Sequence, residues 1–498
     1  VNAPLVTHNG RAFEREAVPR VDIEAFRRTV VGAPARRARI AALFGVAAAD
    51  DAVDLFAVIA VDREGHLELT STRLESDAFD SMTPECPEVH LFERELAELW
   101  SVVPTGHPWL KPVRFQSAWR HPHPVPTVGV TDFYRVEGEE VHEVAVGPVH
   151  AGVIEPGHFR FQCHGEHVFH LEISLGYQHR GVERALAVGP NKRSIHYAET
   201  LAGDSTIGHA TAYVRVLEAL GGAKVSARAQ AMRGIALELE RLANHTGNLG
   251  ALANDVGFLP TASYCGRLRG DFLNMTAMLS GSRFGRGLVR PGGVAFDVDE
   301  ARVEDLLARL DAAARDVEQA VSLLWSTASV QARFEETGVV SREVAREVGL
   351  VGVAARACGL VRDVRHDHPW GIYRFSKIPI AVLDTGDVFA RAFVRWLEIQ
   401  RSTTFVRDQL RGLPAGAARG ACGPPAPRKG CVSLVEGTRG ELCHVALTDG
   451  EGRFAAYKVV DASFHNWLGL SMALRGQQIS DFPLCNKSFD LSYCGHDL

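Results

Sequence analysis

The residues of this chain best suited to acid–base chemistry crowd into its first half, where eleven of the 21 histidines fall between His121 and His209. Among them His164, His167 and His170 recur at every third position, a spacing that on a helix would make one metal-binding face. Gly165 and the aromatic alternation favour a hairpin instead, in which successive side chains point to opposite faces and the three rings do not converge. More telling is Gly147-Pro148-Val149-His150 followed by Glu155-Pro156-Gly157-His158-Phe159-Arg160. Here a carboxylate and two histidines are held by glycines and prolines with special backbone dihedrals. Such a loop suits a proton relay; it equally suits a surface turn with incidental polar groups. Between Arg356 and Pro369, three arginines (Arg356, Arg362, Arg365) and two aspartates (Asp363, Asp367) lie close together. As an interior lattice they would order a cofactor pocket or a subunit face, whereas as a solvated charge run they would do neither.

Composition narrows the function classes. The 498 residues are too many for one core, and 46% hydrophobic with 23% charged residues is ordinary for a globular protein of two or more domains. A net charge of -6 with no basic run speaks against nucleic acid as a partner. The longest clean apolar run, Val53 to Val61, falls far short of the roughly 20 residues that span a bilayer, so membrane contact is expected only through other subunits. No basic segment followed by an apolar one opens the chain, which favours a location inside the cell. The nine cysteines are widely spaced, odd in number and without a Cys-x-x-Cys, so they are expected to be reduced, with no local iron–sulfur or zinc signature.

The elements that must carry these groups change period along the chain. Asp22 to Val46 has helical apolar spacing, and Leu55–Val61 and Leu67–Thr70 read as a hairpin around Asp62-Arg63-Glu64-Gly65. Phe92 to Trp100 is an acidic helix followed by a Gly106-His107-Pro108 turn. Prolines at alternate positions in His121-Pro122-His123-Pro124-Val125-Pro126 mark an extended spacer. A second hairpin turns at Gly165-Glu166. The period then becomes 3.6 over His209–Leu220, Ser226–Asn248, Arg267–Leu279, Val303–Leu324 and Val388–Leu410, which predicts a bundle. Leu413 to Gly430 is a Gly/Pro/Ala-rich loop, and Glu441 to Val460 returns as a hairpin across Asp449-Gly450-Glu451-Gly452. The fold expected is α+β, with a small α/β domain over 1–118, a linker over 119–142 and a mainly helical domain over 143–498.

Several stretches resemble known families. Phe92 to Trp100 with Gly106-His107-Pro108-Trp109-Leu110-Lys111-Pro112-Val113-Arg114 resembles the small hydrophilic subunit of respiratory complex I that docks beside the quinone-binding subunit. Gly147 to His150, Glu155 to Phe159, Gly176-Tyr177-Gln178-His179-Arg180-Gly181-Val182-Glu183, Glu238-Leu239-Glu240-Arg241-Leu242-Ala243-Asn244-His245, Arg356-Ala357-Cys358-Gly359 and Ala462-Ser463-Phe464-His465-Asn466 resemble the large subunit of membrane-bound [NiFe] hydrogenases and its complex I counterpart. The order and fusion match the formate hydrogenlyase and hydrogenase-4 type, over nearly the whole chain. The resemblance implies the hydrogenase large-subunit fold and an NAD-linked or formate-linked electron-transport setting. It also implies an iron–sulfur small subunit carrying a 4Fe–4S cluster as partner, other hydrophilic and membrane subunits beside it, and a peripheral position on the cytoplasmic face of the membrane.

The departures from the pattern decide the reading. Where active relatives carry Arg-x-Cys-Gly-x-Cys, this chain has Thr200, then Ala202-Gly203-Asp204-Ser205. Where they carry Asp-Pro-Cys-x-x-Cys, it has Asp490-Leu491-Ser492-Tyr493-Cys494-Gly495. The four thiolate positions thus hold Ala202, Ser205, Ser492 and Gly495, and a nickel–iron centre is expected to be absent. For a quinone site of the complex I kind, the partner Asp matches Asp255, the Tyr falls at Gly203 and the His near Glu155, with His158 and His150 nearby. The expected pocket brings together Glu155, His158, Asp204, His209 and Asp255 as proton relay, with His150, Gly203, Arg356, Asp363 and Arg365 as lining. The implied role is a subunit that passes electrons from an iron–sulfur partner to a quinone or another acceptor, coupled to proton or cation movement. The alternatives are a hydrogenase with rearranged ligands and a non-catalytic scaffold. Aligned in this way Leu498 falls at a mature carboxyl end, which implies no maturation extension and a tail anchored in the core by Phe489 and Tyr493.

Overall fold

The computed structural model describes residues 3–121, 124, 126–151 and 154–498. Pro122, His123 and Val125 of the expected spacer lie outside the described residues. The amino-terminal unit runs β1 (Leu5–Thr7), β2 (Ala12–Glu14), α1 (Ile23–Val31), β3 (Arg39–Ala47), β4 (Val53–Val61), β5 (His66–Leu74), β6 (Ala78–Asp80), α2 (His90–Trp100) and β7 (Val103–Thr105). Its main sheet has the order β1-β5-β4-β3, all antiparallel, with Val61 opposite His66 across the expected hairpin turn. The helical spacing of Asp22 to Val46 is only partly realised. Asp22 caps α1 by accepting from Ala25 N at 2.7 Å, but Gly32-Ala33-Pro34 ends the helix and Arg39–Ala47 is a strand. That strand is buried on both faces, so its apolar run has no alternation to distinguish it from a helix.

The larger unit opens with a three-stranded sheet, β8 (Val141–Val146), β9 (His158–His164) and β10 (His167–Ser174), in the order β10-β9-β8. Short helices α3 (Val182–Ala187) and α4 (Ser194–Glu199) lead into the bundle, α5 (Thr206–Leu220), α6 (Ala227–Asp255), α7 (Leu259–Ser280), a small ribbon β11 (Val289–Arg290) and β12 (Gly293–Val294), then α8 (Glu300–Trp325). Next come α9 (Ala328–Phe334), α10 (Arg342–Glu347), α11 (Gly352–Ala357), α12 (Val364–Asp367) and the long α13 (Val388–Arg411). The chain closes with β13 (Lys429–Glu436), β14 (Glu441–Thr448), β15 (Phe454–Val460), α14 (Ala462–Ala473), α15 (Phe482–Phe489) and α16 (Tyr493–Asp497). Helix α6 starts at Ser226, whose Oγ accepts from Ala229 N, and is buried along most of its length because α7 and α13 pack against it. Phe489 and Tyr493 are buried in the core.

The two units share a sheet. Strand β2 pairs antiparallel with β13, giving the order β15-β14-β13-β2, and one apolar cluster joins Phe26 and Phe92 to Val432, Leu434 and Val445. Arg39 seals the junction with a bidentate pair to Glu441, both side chains buried.

Candidate active site

Two loops and two helix starts converge around the positions aligned with the thiolates. The loop between α4 and α5 carries buried Ala202 and Ser205. Ser492 caps α16, its Oγ accepting from Gly495 N at 2.9 Å, while its own N–H donates to Ser463 Oγ at 2.9 Å. Ser463 N in turn donates to Asp461 Oδ1 at 2.7 Å. Cys494 bridges the halves, its Sγ 3.4 Å from Ser492 Oγ and bonded to the Gly203 backbone. Burial, then the Glu155 carboxylate beside it, pushes this thiol up to about 11, which keeps it protonated at neutral pH.

This donor set does not fit a nickel–iron centre. Ala202, Ser205, Ser492 and Gly495 offer a methyl, two hydroxyls and a hydrogen where soft sulfur is needed. At Gly495 even a Cβ would lie 2.8 Å from the Asp461 carboxylate carbon. Among the described residues no group of three or more His, Cys, Asp or Glu side chains is placed to hold a metal ion.

Glu155 reaches this centre, its carboxylate accepting from Cys494 N at 3.2 Å and Tyr493 N at 3.4 Å. The two histidines of the same loop do other work. His150 donates from Nε2 to Gly157 O at 3.1 Å and His158 donates from Nδ1 to Gly147 O at 3.0 Å, so together they clasp the base of the loop. The remaining His158 nitrogen accepts from Arg160 Nε at 3.3 Å. Neither ring is bonded to Asp204 or His209 among the described residues.

Asp204 is held by Arg439, with both carboxylate oxygens 2.8 Å from the guanidinium. Burial alone would raise Asp204, but the Arg439 charge outweighs it and holds the carboxyl below its ordinary value. Arg439 also donates to Asp490 O and lies 3.4 Å from Ser205 Oγ, so it spans both halves of the site. Its position is set by the Gly437–Gly440 turn between β13 and β14. Gly352 of α11 has φ +63° and presses on that turn so closely that a Cβ there would lie 2.1 Å from Arg439 O.

Beneath the turn sits the arginine lattice. Arg356 pairs with Glu398 at 2.5 Å and Glu436 at 2.7 Å, and Arg365 forks onto Asp363 and Glu238. Arg241 bonds Glu398 and Gly437 O, while Asn244 ties Asp204 O to Thr438. Arg356, Asp363 and Arg365 are therefore an interior lattice that supports the turn. Three arginines face four carboxylates there, and burial followed by the Asp363 charge raises Glu436 to about 7.

A directional chain leaves the site through His209. Tyr457 O–H donates to His444 Nδ1 at 2.8 Å, His444 Nε2 lies 3.1 Å from His209 Nδ1, and His209 Nε2 lies 3.0 Å from Asp461 Oδ2. With both rings neutral, a single choice of tautomers satisfies every link: Nε2–H on each histidine and an accepting Nδ1. Burial, then the neighbouring His209, drives His444 well below the usual imidazole value, which keeps it neutral. The array is thus a continuous hydrogen-bonded row from Tyr457 to Asp461.

Asp255 does not join the others. It is exposed at the last position of α6, eleven residues beyond Asn244, or about 16 Å along the helix. Arg439, Asp461, His444 and Tyr457 are the residues that sequence reasoning missed. Asp461 stands one position before the Ala462–Asn466 motif and was within reach of it, and the Gly437/Gly440 punctuation marked a turn at Arg439 without marking its charge as functional.

The chain matches the family profile described as respiratory-chain NADH dehydrogenase, 30 Kd subunit, over residues 21–126, and that described as the 49 Kd subunit over 255–421 and 420–497. It is 30% identical over 447 residues to formate hydrogenlyase subunit 5 of Escherichia coli, covering 85% of this chain and 78% of that one. It is 31% identical to the carbon monoxide-induced hydrogenase of Rhodospirillum rubrum over 70% of this chain and 97% of that one. To NADH-quinone oxidoreductase subunit 4 of Thermus thermophilus it is 29% identical, over 70% and 92% of the two chains. The chain, which joins the 30 Kd and 49 Kd profiles in one polypeptide, thus belongs to the family of those respiratory-chain NADH dehydrogenase subunits and of formate hydrogenlyase subunit 5, as an oxidoreductase-complex subunit of the peripheral arm.

Proposed function

We propose that this chain sits on the cytoplasmic face of a membrane-bound complex and passes electrons from the 4Fe–4S cluster of a small subunit to a quinone headgroup beside the Gly203–Ser205 loop. Reduction of a quinone to its hydroquinone consumes two electrons and two protons. In this reading both protons come ultimately from solvent, Glu155 and the His209–Asp461 pair pass them on, and Asp204 with Arg439 orients the headgroup by hydrogen bonds. Membrane subunits would couple the reaction to proton or cation movement. The observation that supports the reading is that the four aligned positions carry no thiolate, while Glu155, Asp204, Asp461 and His209 make hydrogen bonds beside them. The purified complex should reduce decylubiquinone, and Glu155→Gln should slow it about a hundredfold or more with assembly intact, in the range of a lost general acid. An unchanged rate in Glu155→Gln would remove the relay from the reading.

The Arg439 guanidinium lying across Asp204 and Asp490 also favours a second reading, in which the centre is a closed structural core. That reading predicts no quinone reduction, and loss of subunit assembly in Arg439→Ala.

A further inference from the structure

Away from that centre, between α2, the Gly106–Val113 segment, β10 and α14, lies a cavity of about 650 Å³. That volume falls in the range of small-molecule pockets. Leu91, Val113, Leu171, Trp467 and Leu468 give it apolar and aromatic walls. The polar groups that reach it are mostly nitrogens, Arg94, His90, His107 and His496 among them.

The carboxylates nearby are committed elsewhere. Glu93 accepts from Met82 N, Thr83 N and the Ser81 and Thr83 hydroxyls, and Glu98 accepts from the Val113, Arg114 and Gln116 amides. Glu172, in the wall itself, takes Lys111, Trp109 Nε1 at 2.9 Å and Tyr134 N at 2.7 Å. Arg94 is left with the carbonyls of Lys111 and Pro112 at 2.9 and 2.8 Å, through Nε and Nη2. Among the described residues it has no ion pair, and its Nη1 makes no hydrogen bond. Burial lowers this guanidinium to about 10, and the Glu172 and Glu98 carboxylates, neither of them paired with it, offset only part of that. The histidines add no charge: His107 donates from Nε2 to His90 O and accepts at Nδ1 from Trp109 N, which uses both nitrogens of a neutral ring. Burial holds His90 at about 3. The cavity is therefore an apolar, aromatic-walled space with two cations in its lining, Arg94 and the exposed Arg475, that make no ion pair among the described residues.

We propose that this cavity binds a small aryl monoanion, its carboxylate or sulfonate on Arg94 Nη1 and its ring system against Trp467 and Leu468. Charge complementarity selects the anionic head, since an uncharged aromatic would leave Arg94 without an ion pair in an even drier site. The test is a fluorescence titration of the purified full chain with 1-anilinonaphthalene-8-sulfonate. Saturable one-to-one binding is expected, displaced by 2-naphthoate and not by 2-naphthamide. Arg94→Gln should weaken it tenfold or more, and Ser471→Phe, which fills the cavity with Arg94 intact, should abolish it. Equal affinity in a folded form of either variant, displacement by the amide as readily as by the acid, or no saturable binding would overturn the proposal. So would exclusion of the dye from the intact complex, which would assign the cavity to a partner subunit's segment.

Discussion

Asp461 accepts from His209 Nε2 and from Ser463, and although burial alone would raise it, these bonds bring it to about 2. A carboxyl depressed in the folded state adds stability above its unfolded value near 4, and that stability is lost as pH falls through the folded value. Asp461→Asn should therefore cost on the order of 2 kcal/mol at pH 7 and flatten the acid limb of stability below about pH 4. Denaturant unfolding at stepped pH checks this, and a loss independent of pH would contradict it. Glu240 behaves oppositely. It accepts from Ile207 N at 2.7 Å and Gly208 N at 3.1 Å, and burial raises it to about 8. Its folded value lies above its unfolded one, so the native chain keeps the proton and loses stability as pH rises through roughly 4.5 to 8. Glu240→Gln should remove that slope in the same titration, and a slope equal to the wild type's would contradict the burial account. At this scale the sequence exposed Glu155, because glycine and proline punctuation flagged its loop. It did not expose the hydrogen-bonded row through His209, whose partners His444 and Asp461 lie 235 and 252 residues from His209 and meet it only through sheet packing.

Between α6, α11, α13 and the β13–β14 turn, support for the site is electrostatic and steric together. Removing one member of the buried lattice leaves a neighbour uncompensated, so Arg356→Met, which strips Glu436 of its arginine and Glu398 of one of several cationic partners, should cost about 3–5 kcal/mol. A shift in thermal midpoint no larger than that of a surface substitution would show that the lattice is not a supporting element. Gly352→Ala should be nearly as costly, since the added carbon meets Arg439 O at 2.1 Å and must push the turn away from Asp204. The bundle helices were legible because a 3.6-residue stripe survives wherever one face is buried, as over α8. Arg39–Ala47 was not, because burial of both strand faces erases the alternation that marks a half-exposed strand. The arginine lattice was visible as composition, but its choice between interior and surface depended on Glu238, Glu398 and Glu436, which arrive from other elements.

Across the whole molecule the amino-terminal unit and the larger unit are one construction, since β2 completes the β13–β15 sheet and Arg39 is paired to Glu441 across the junction. A chain trimmed to 119–498 should lose the cover of Val432, Leu434 and Val445 and aggregate or melt well below the full chain, whereas equal thermal stability would show the units to be independent. The centre of the larger unit is closed around Asp204, Arg439, Asp461 and Glu155, and Ala202, Ser205, Ser492 and Gly495 bring no thiolate to it. Elemental analysis of the purified complex is the most direct measurement of that claim: the account predicts nickel far below one atom per chain, and about one nickel per chain would contradict it.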